Sequence, residues 1–352
     1  MQRGGAETFL INVYRNIDTQ KIQFDFLLCS CERENSYIDE IEHLGGRIYV
    51  LPPKSAGLVS NLLTIKQIVQ ENKYQIVWRH TNTPFKAIDL IMAKWGGATH
   101  TILHSHSANV RGLVKVSGIL TRKLFLQFVT ERYACGVEAG KWMFGKKPYQ
   151  IIKNGIEIDK FRYNDSIRQN YREEFGLQDC LVIGHIGRFE KVKNQEFLLS
   201  ILKELVTINR KIVMVFVGEG TLLPEVQKKA KELGVEKNTR FLGVRTDIPD
   251  ILQMMDVFAL PSLWEGVPVT LVEAQAAGLP CIVSQNVPNE IKILSSMKFV
   301  GLEEAPSIWA RQILDAFDVI RKDESEKVRD AGYDIISIAK KLQNNFLQMV
   351  GK

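Results

Sequence analysis

Long hydrophobic runs are missing from this chain. Its 352 residues contain no stretch of 18 or more apolar residues, so no transmembrane helix is expected. The N-terminus lacks the charged-then-apolar pattern of a secretory signal. Cysteine is sparse and odd in number: Cys29, Cys31, Cys135, Cys180 and Cys281. Cys29 and Cys31 are one residue apart, too close for an ordinary bridge and wrong for a zinc knuckle. A reducing, cytoplasmic setting is the expectation. Sequence repeats and low-complexity segments are absent. No nucleic-acid-binding motif is present, so nucleic acid is not an expected partner. No G-x-G-x-x-G follows a strand with an acidic residue about 20 positions later, which disfavours a dehydrogenase. Asp-x-Asp, a pair that would hold a metal ion on a diphosphate, is also lacking, and neither metal nor cofactor is expected.

What is present is ordinary in kind and uneven in placement. Hydrophobic residues make up 45% and charged residues 24%, globular values for a chain long enough to bury a sizeable core without crosslinks. At roughly 150 residues per domain, the length suggests about two domains. The net charge of +6 hides an asymmetry. Residues 1–155 carry 20 Lys and Arg against 12 Asp and Glu, whereas residues 156–352 carry 26 against 28. Within 111–153 the count is 9 against 2. A basic half suggests that one domain meets something anionic, such as a membrane surface or a phosphorylated substrate.

Short apolar runs alternate with helical patterns. Strands are expected at Phe24–Cys29, Arg47–Leu51, Ile76–Arg79 and Thr101–His104, then at Leu181–Ile186, Ile212–Val217, Arg240–Leu242, Val257–Leu260 and Cys281–Ser284. Helical stretches lie between them, which argues for an α/β protein with parallel sheets covered by helices on both faces. The alternation pauses over the polar stretch 153–178. The expected domains are therefore 1–155 and 156–332, each doubly wound, followed by an amphipathic helix within 333–352.

Three segments carry chemistry. Gly4-Gly5 precede the first helix, where glycine lets backbone approach a phosphate and the helix N-terminus offers free N–H groups. They also read as a plain helix start. The run Gly187-Arg-Phe-Glu-Lys-Val-Lys-Asn194 follows a strand. Arg188 and Lys193 would sit at that strand's carboxyl end, where open α/β sheets bind ligands, and two cations there can hold a diphosphate. A solvated basic loop is the competing reading. The strongest segment is Pro261-Ser-Leu-Trp-Glu-Gly-Val-Pro-Val-Thr-Leu-Val-Glu273. Glu265 and Gly266 form a loop, and Pro268 suits a first helical turn. Glu273 lies about one and a half turns in, too deep to profit from the helix dipole. Its carboxylate can accept from two vicinal hydroxyls, and the N–H groups of Val267 and Val269 can face a sugar or phosphate.

At these residues the chain resembles the retaining glycosyltransferases of family 4. Val217-Gly-Glu-Gly, Phe241-Leu-Gly and Lys153-Asn-Gly-Ile match further family landmarks in order, and the resemblance runs along nearly the whole chain. It implies two Rossmann-like domains facing a cleft, the GT-B arrangement, and is strongest to bacterial enzymes of capsular or other exopolysaccharide synthesis. The resemblance implies that Arg188 and Lys193 hold the donor diphosphate and Glu273 the nucleotide ribose. Glu265, with Gly266, Val267 and Pro268, would lie by the donor sugar, and Gly4 and Gly5 would approach the phosphate. In Leu103-His-Ser-His-Ser107, His106 fits the sugar-facing histidine of the family better than His104. The implied donor is a nucleotide sugar, by family habit a UDP-sugar, and the implied acceptor is a saccharide or polyprenyl-linked sugar. The C-terminal helix is expected to return to the N-terminal domain.

No carboxylate is placed as an obvious nucleophile, so front-face attack is the expected route to retention. Leu113, Val114, Ile119, Leu120, Leu124, Phe125, Leu126, Phe128 and Val129 are interleaved with the cations of 111–153. They read either as a basic amphipathic helix on an anionic membrane or as core with a solvated face. One departure stands out: family members carry a first strand before the Gly-Gly turn, and here it is expected to be missing. A sugar-nucleotide epimerase and a binding subunit inactivated by truncation are the alternative functions.

Overall fold

The computed structural model describes residues 4–33, 36–107, 118, 121–209 and 211–351. The chain passes from a first unit into a second between Ile156 and Glu157, and returns to the first between Tyr333 and Asp334.

In the first unit, β1 (Phe26–Leu28) and β2 (Ile48–Val50) form a parallel pair, while β3 (Ile76–Thr81), β4 (His100–Ser105), β5 (Glu131–Ala134) and β6 (Gln150–Ile151) form a parallel four-stranded sheet in sequential order. Helices α1 (Gly5–Asn16), α2 (Ile38–His43), α3 (Gly57–Asn72), α4 (Ile88–Trp95) and α5 (Val137–Phe144) connect them. The C-terminal helix Ile335–Met349 belongs to this unit. Its apolar face (Ile335, Ala339, Leu342, Phe346) is buried with Phe9, Val13 and Tyr14 of α1, and the Gln343 side chain accepts from the Asp18 N–H at 2.7 Å. The Asp334 carboxylate caps the helix by accepting from the Ser337 N–H, one of the orphan donors of a first turn.

β1 pairs with β2 and β3 with β4, so among the described residues one edge of β1 and one of β3 have no strand partner. A cavity of about 540 Å³ is lined by residues of both strands, among them Phe26, Ile76 and Trp78, and by side chains of α1, α3 and the C-terminal helix.

The segment 111–153 is not one amphipathic helix. Residues 111–117 and 119–120, with Leu113, Val114, Ile119 and Leu120, lie outside the described residues. Beyond them the segment holds β5, α5 and β6, and Phe125, Leu126 and Val129 are buried. Their apolar character therefore serves the core, which leaves Leu124 exposed beside exposed Lys123, Lys141, Lys146 and Lys147.

The second unit is built on a six-stranded parallel sheet. Its strands are β7 (Leu181–Ile186), β8 (Ile212–Val217), β9 (Thr239–Phe241), β10 (Val257–Leu260), β11 (Cys281–Ser284) and β12 (Met297–Val300), in the order β12-β11-β10-β7-β8-β9. β7, β8, β10 and β11 are buried along almost their whole length, as expected of near-continuous apolar runs covered on both faces. The order reverses between β7 and β10, which defines a topological switch point. The polar stretch 153–178 contains a helix, α6 (Asp165–Glu174), and α7 (Gln195–Ile208), α8 (Leu223–Glu232), α9 (Ile248–Met254) and α10 (Val269–Ala276) follow it. The inward face of α6 is ionic: Arg168 and Arg172 both reach the Asp256 carboxylate, and Arg172 also donates to the Met254 carbonyl at 2.9 Å.

Candidate functional site

The switch point of the second unit gathers most of the sequence-predicted residues. β7 ends at Ile186 and runs into Gly187-Arg188, a short turn at Lys191–Lys193, and helix α7 (Gln195–Ile208). Asn194 links the turn to α7 in a left-handed conformation, φ 56°. β10 ends at Leu260 and runs through Trp264-Glu265-Gly266 to α10 (Val269–Ala276). The two loops are stitched together. The Leu263 N–H donates to the Val192 carbonyl at 2.8 Å, and the Asn194 side-chain amide donates to the Pro261 carbonyl at 3.2 Å. The Lys193 ammonium meets the Glu265 carboxylate at 2.7 Å, with both side chains largely buried.

Lys193 and Glu265 are therefore partners rather than independent ligand contacts. A lysine carries three N–H donors, so the bond to Glu265 fixes the ammonium and leaves two for a ligand. Arg188 projects outward: its side chain is 66% exposed, and its contact with Glu190 at 3.1 Å is a surface ion pair. Such pairs contribute little, which leaves the guanidinium available for recruitment by an anion.

A third loop braces the first. The Gly187 N–H donates to the Val217 carbonyl and the Phe189 N–H to the Glu219 carbonyl. Gly218, at φ 132°, has no room for a side chain, because a Cβ there would lie 2.3 Å from the Gly187 carbonyl oxygen. The backbone carrying Arg188 is thus pressed onto Gly218-Glu219-Gly220. Beneath it, buried Gln195 donates to the Arg188 carbonyl at 2.8 Å. His185 is a strand histidine: its Nδ1–H donates to the Ala259 carbonyl, and burial pulls its pKa down to about 4. Asn194 and Gln195 were missed as organising residues. Their only signal is adjacency to the Arg–Lys run, because their roles depend on loops that are distant in sequence.

Glu273 sits in the second turn of α10, half-buried, with no ion-pair partner among the described residues. Burial raises its pKa to about 7. A carboxylate held in this way gains from any ligand hydroxyl that hydrogen-bonds its charged form. Pro268 occupies the N-cap position of α10, and Val267 is buried. The short helix therefore starts beside the Glu265 loop.

Gly4, Gly5 and His106 belong to the first unit. Gly4 is the N-cap of α1, and a Cβ on Gly5 would meet nothing within 4 Å, so packing alone does not demand glycine there. His106 lies just past β4 with its Nε2 2.7 Å from Nδ1 of His80. Its own Nδ1 is enclosed, and the Asn154 side chain lies against the ring. Burial lowers its pKa to about 4. As placed, His106 offers no free outward nitrogen, and contact with a sugar requires its ring to leave His80.

Comparison with known proteins bears on this geometry. Residues 167–333 match the family model "Glycosyl transferases group 1". Over 95% of its length the chain is 34% identical to the putative glycosyltransferase EpsF of Bacillus subtilis, covering 91% of that protein. It is 26% identical to the UDP-Gal:alpha-D-GlcNAc-diphosphoundecaprenol alpha-1,3-galactosyltransferase of Escherichia coli, over 83% of this chain and 80% of the relative. Among solved structures, Anabaena HepE in complex with UDP and glucose superposes with a TM-score of 0.80 at 18% identity, over 99% of this chain and 98% of that one. This last likeness is one of fold.

Proposed function

Because the chain belongs to the glycosyl transferases of group 1, we propose that it transfers a sugar, with retention at the anomeric carbon, from a nucleotide-sugar donor to a saccharide or polyprenyl-linked acceptor in cell-surface polysaccharide synthesis. One observation carries the reading: Arg188, Lys193 and Glu265 are assembled at the carboxyl end of the sheet, at the point where strand order reverses. Ligands of open α/β sheets bind there.

In this reading the two cations hold the diphosphate. Lys193 does so as a point charge aimed by Glu265, and Arg188 as a mobile fork that exchanges Glu190 for phosphate oxygens. Glu273 accepts from the two ribose hydroxyls. Glu265, Gly266 and Val267 flank the donor sugar; the resemblance assigns Gly4, Gly5 and His106 to the donor as well, and for His106 that role requires the ring to leave His80. As the bond from the anomeric carbon to the diphosphate oxygen breaks, the diphosphate keeps the electron pair. The acceptor oxygen bonds to the carbon on the same face, and its proton passes to a leaving phosphate oxygen. Preorganised cations act most strongly where that charge develops.

No metal is assigned to the diphosphate, because Glu265 is already committed to Lys193. The names of the relatives favour a UDP-sugar and a lipid-linked acceptor. Exposed Lys123, Lys141, Lys146 and Lys147 suit approach to an anionic membrane surface carrying that acceptor. The test is nucleotide release from a panel of UDP-sugars, with and without lipid-diphosphate-linked acceptors. Acceptor-dependent release, severely reduced in the Arg188→Ala, Lys193→Ala double variant, is expected. Release without any acceptor would favour an epimerase, and donor binding without transfer would indicate a binding subunit.

A further inference from the structure

Three of the six histidines of the chain converge inside the first unit. His80 on β3 and His104 on β4 are direct neighbours in the parallel register. His106, two residues further along, returns to the same face, because strand side chains alternate with period two. The candidate ligand nitrogens of the three rings all lie within 4.8 Å of one another. The trio is walled by aromatic rings: Phe9 stands edge-on to His104 with centroids 5.5 Å apart, and Trp78 stacks on His104 at 5.7 Å.

The polar accounting of this cluster does not close. His80 Nδ1 and His106 Nε2 share one hydrogen bond of 2.7 Å. Nε2 of His80 and both ring nitrogens of His104 are shut from solvent with no hydrogen-bond partner among the described residues, and the His106 ring has the Asn154 side chain against it. Buried polar atoms are nearly always paired, so three orphans in one cluster call for a physical cause. A neutral imidazole presents one lone pair, and three of them within reach of a common point form a metal-binding set.

We propose that His80, His104 and His106 bind one divalent transition ion, such as zinc, through three imidazole nitrogens, with a water or other small ligand in the fourth position. Bonds of about 2.0–2.1 Å in a tetrahedral site set ligand nitrogens roughly 3.3 Å apart. The ion therefore replaces the His80–His106 hydrogen bond and spreads that pair by about 0.6 Å, while ligand nitrogens as much as 4.8 Å apart close to the same spacing. The ion has an entry path, because His80 also lines the cavity of about 540 Å³ bordered by β1 and β3. It has outer support as well, because the Asn154 side chain lies against His106 and can orient the ring. Cys29 and Cys31, both exposed, are the competing soft ligands on the chain. The three ligands belong to the first unit and the Arg188–Lys193–Glu265 cluster to the second; a His106 held on the ion is not a donor contact, and the test does not pass through sugar transfer.

The experiment uses tag-free full chain stripped with chelator, titrated with zinc by calorimetry and with cobalt(II) by visible absorption. The expected result is one ion per chain, four-coordinate cobalt bands, and a zinc-dependent rise in melting temperature. His80→Ala should weaken binding at least ~10-fold and abolish the cobalt bands, whereas Cys29→Ser with Cys31→Ser leaves both unchanged. His80→Asn, which keeps a polar side chain, separates loss of a ligand from misfolding, with circular dichroism as the folding control. Absence of stoichiometric binding to the native chain, binding by both His80 variants as tight as that of the native chain, or loss of binding in the double serine variant would each overturn the proposal.

Discussion

The residue with the most informative environment is Glu273. Its pKa of about 7 lies above the ordinary glutamate value because of burial. A carboxyl raised in the fold binds a proton that the unfolded chain has released. It therefore imposes no penalty below about pH 4.5, and a growing one as pH climbs towards 7. Glu273→Gln should accordingly stabilise the ligand-free protein more at pH 8 than at pH 4.5, as measured by thermal denaturation. On the proposed reading the same group would make nucleotide binding pH-dependent. Donor hydroxyls favour the charged carboxylate, so calorimetric affinity for UDP should rise as pH passes upward through about 7, and should lose that rise in Glu273→Gln. Lys193 is the second informative residue. Its partner Glu265 is largely buried, and removing one member strands the other charge. Lys193→Ala should lower kcat/KM by roughly 10²–10³-fold and also lower the melting temperature, and Lys193→Ala with Glu265→Gln should recover part of the stability but none of the activity. Both acids were visible as Glu265 and Glu273 in one motif. Their division into a partnered and an unpartnered carboxylate was not, because it depends on what lies across from each.

At the scale of elements, the site is three loops leaning on one another. Val217-Gly-Glu-Gly was recognised only as a landmark in the chain. In the fold it is the surface against which the Arg188 loop is pressed, and Gly218 is glycine for two reasons at once: φ is 132°, and a Cβ would collide with backbone. Gly218→Ala should cost about 1–3 kcal/mol of stability and weaken donor binding by displacing the Arg188 loop. Gly243, at φ 66° with open space around its Cβ position, is the internal control: Gly243→Ala should lose only the backbone term, with donor affinity intact. Urea denaturation and calorimetry on the two variants separate these effects. Two of the elements left unforeseen share a cause. β5, with the sequence Glu-Arg-Tyr-Ala, and α6, with an ionic inner face, bury few apolar side chains of their own. Their periodicity is silent, and neighbours specify them: Asp256 in the case of α6.

At the scale of the whole molecule, the C-terminal helix is a structural member of the first unit despite its place in the chain. Leu342 is fully buried among α1 side chains. Leu342→Ala should cost ~2–5 kcal/mol, seen as faster amide exchange across α1 and β3 while β7 and β8 keep their protection. Charge acts at the same scale. The excess of cations lies in residues 1–155, so the protein should pellet with anionic vesicles at low salt and be released at high salt, because exposed charges are screened within about 10 Å at 0.1 M ionic strength.

The amino-acid order alone determined the α/β class, five of the six parallel strands of the second unit and the motif that bears both acids. Each of these is written in local periodicity or in residues close together along the chain. What awaited the tertiary structure was every relation across distance: Lys193 clasping Glu265, Gly218 pressed to Gly187, and His80 arriving beside His106. Such pairings join loops that the sheet brings side by side, and a linear code with period two or 3.6 holds no record of which neighbour that will be.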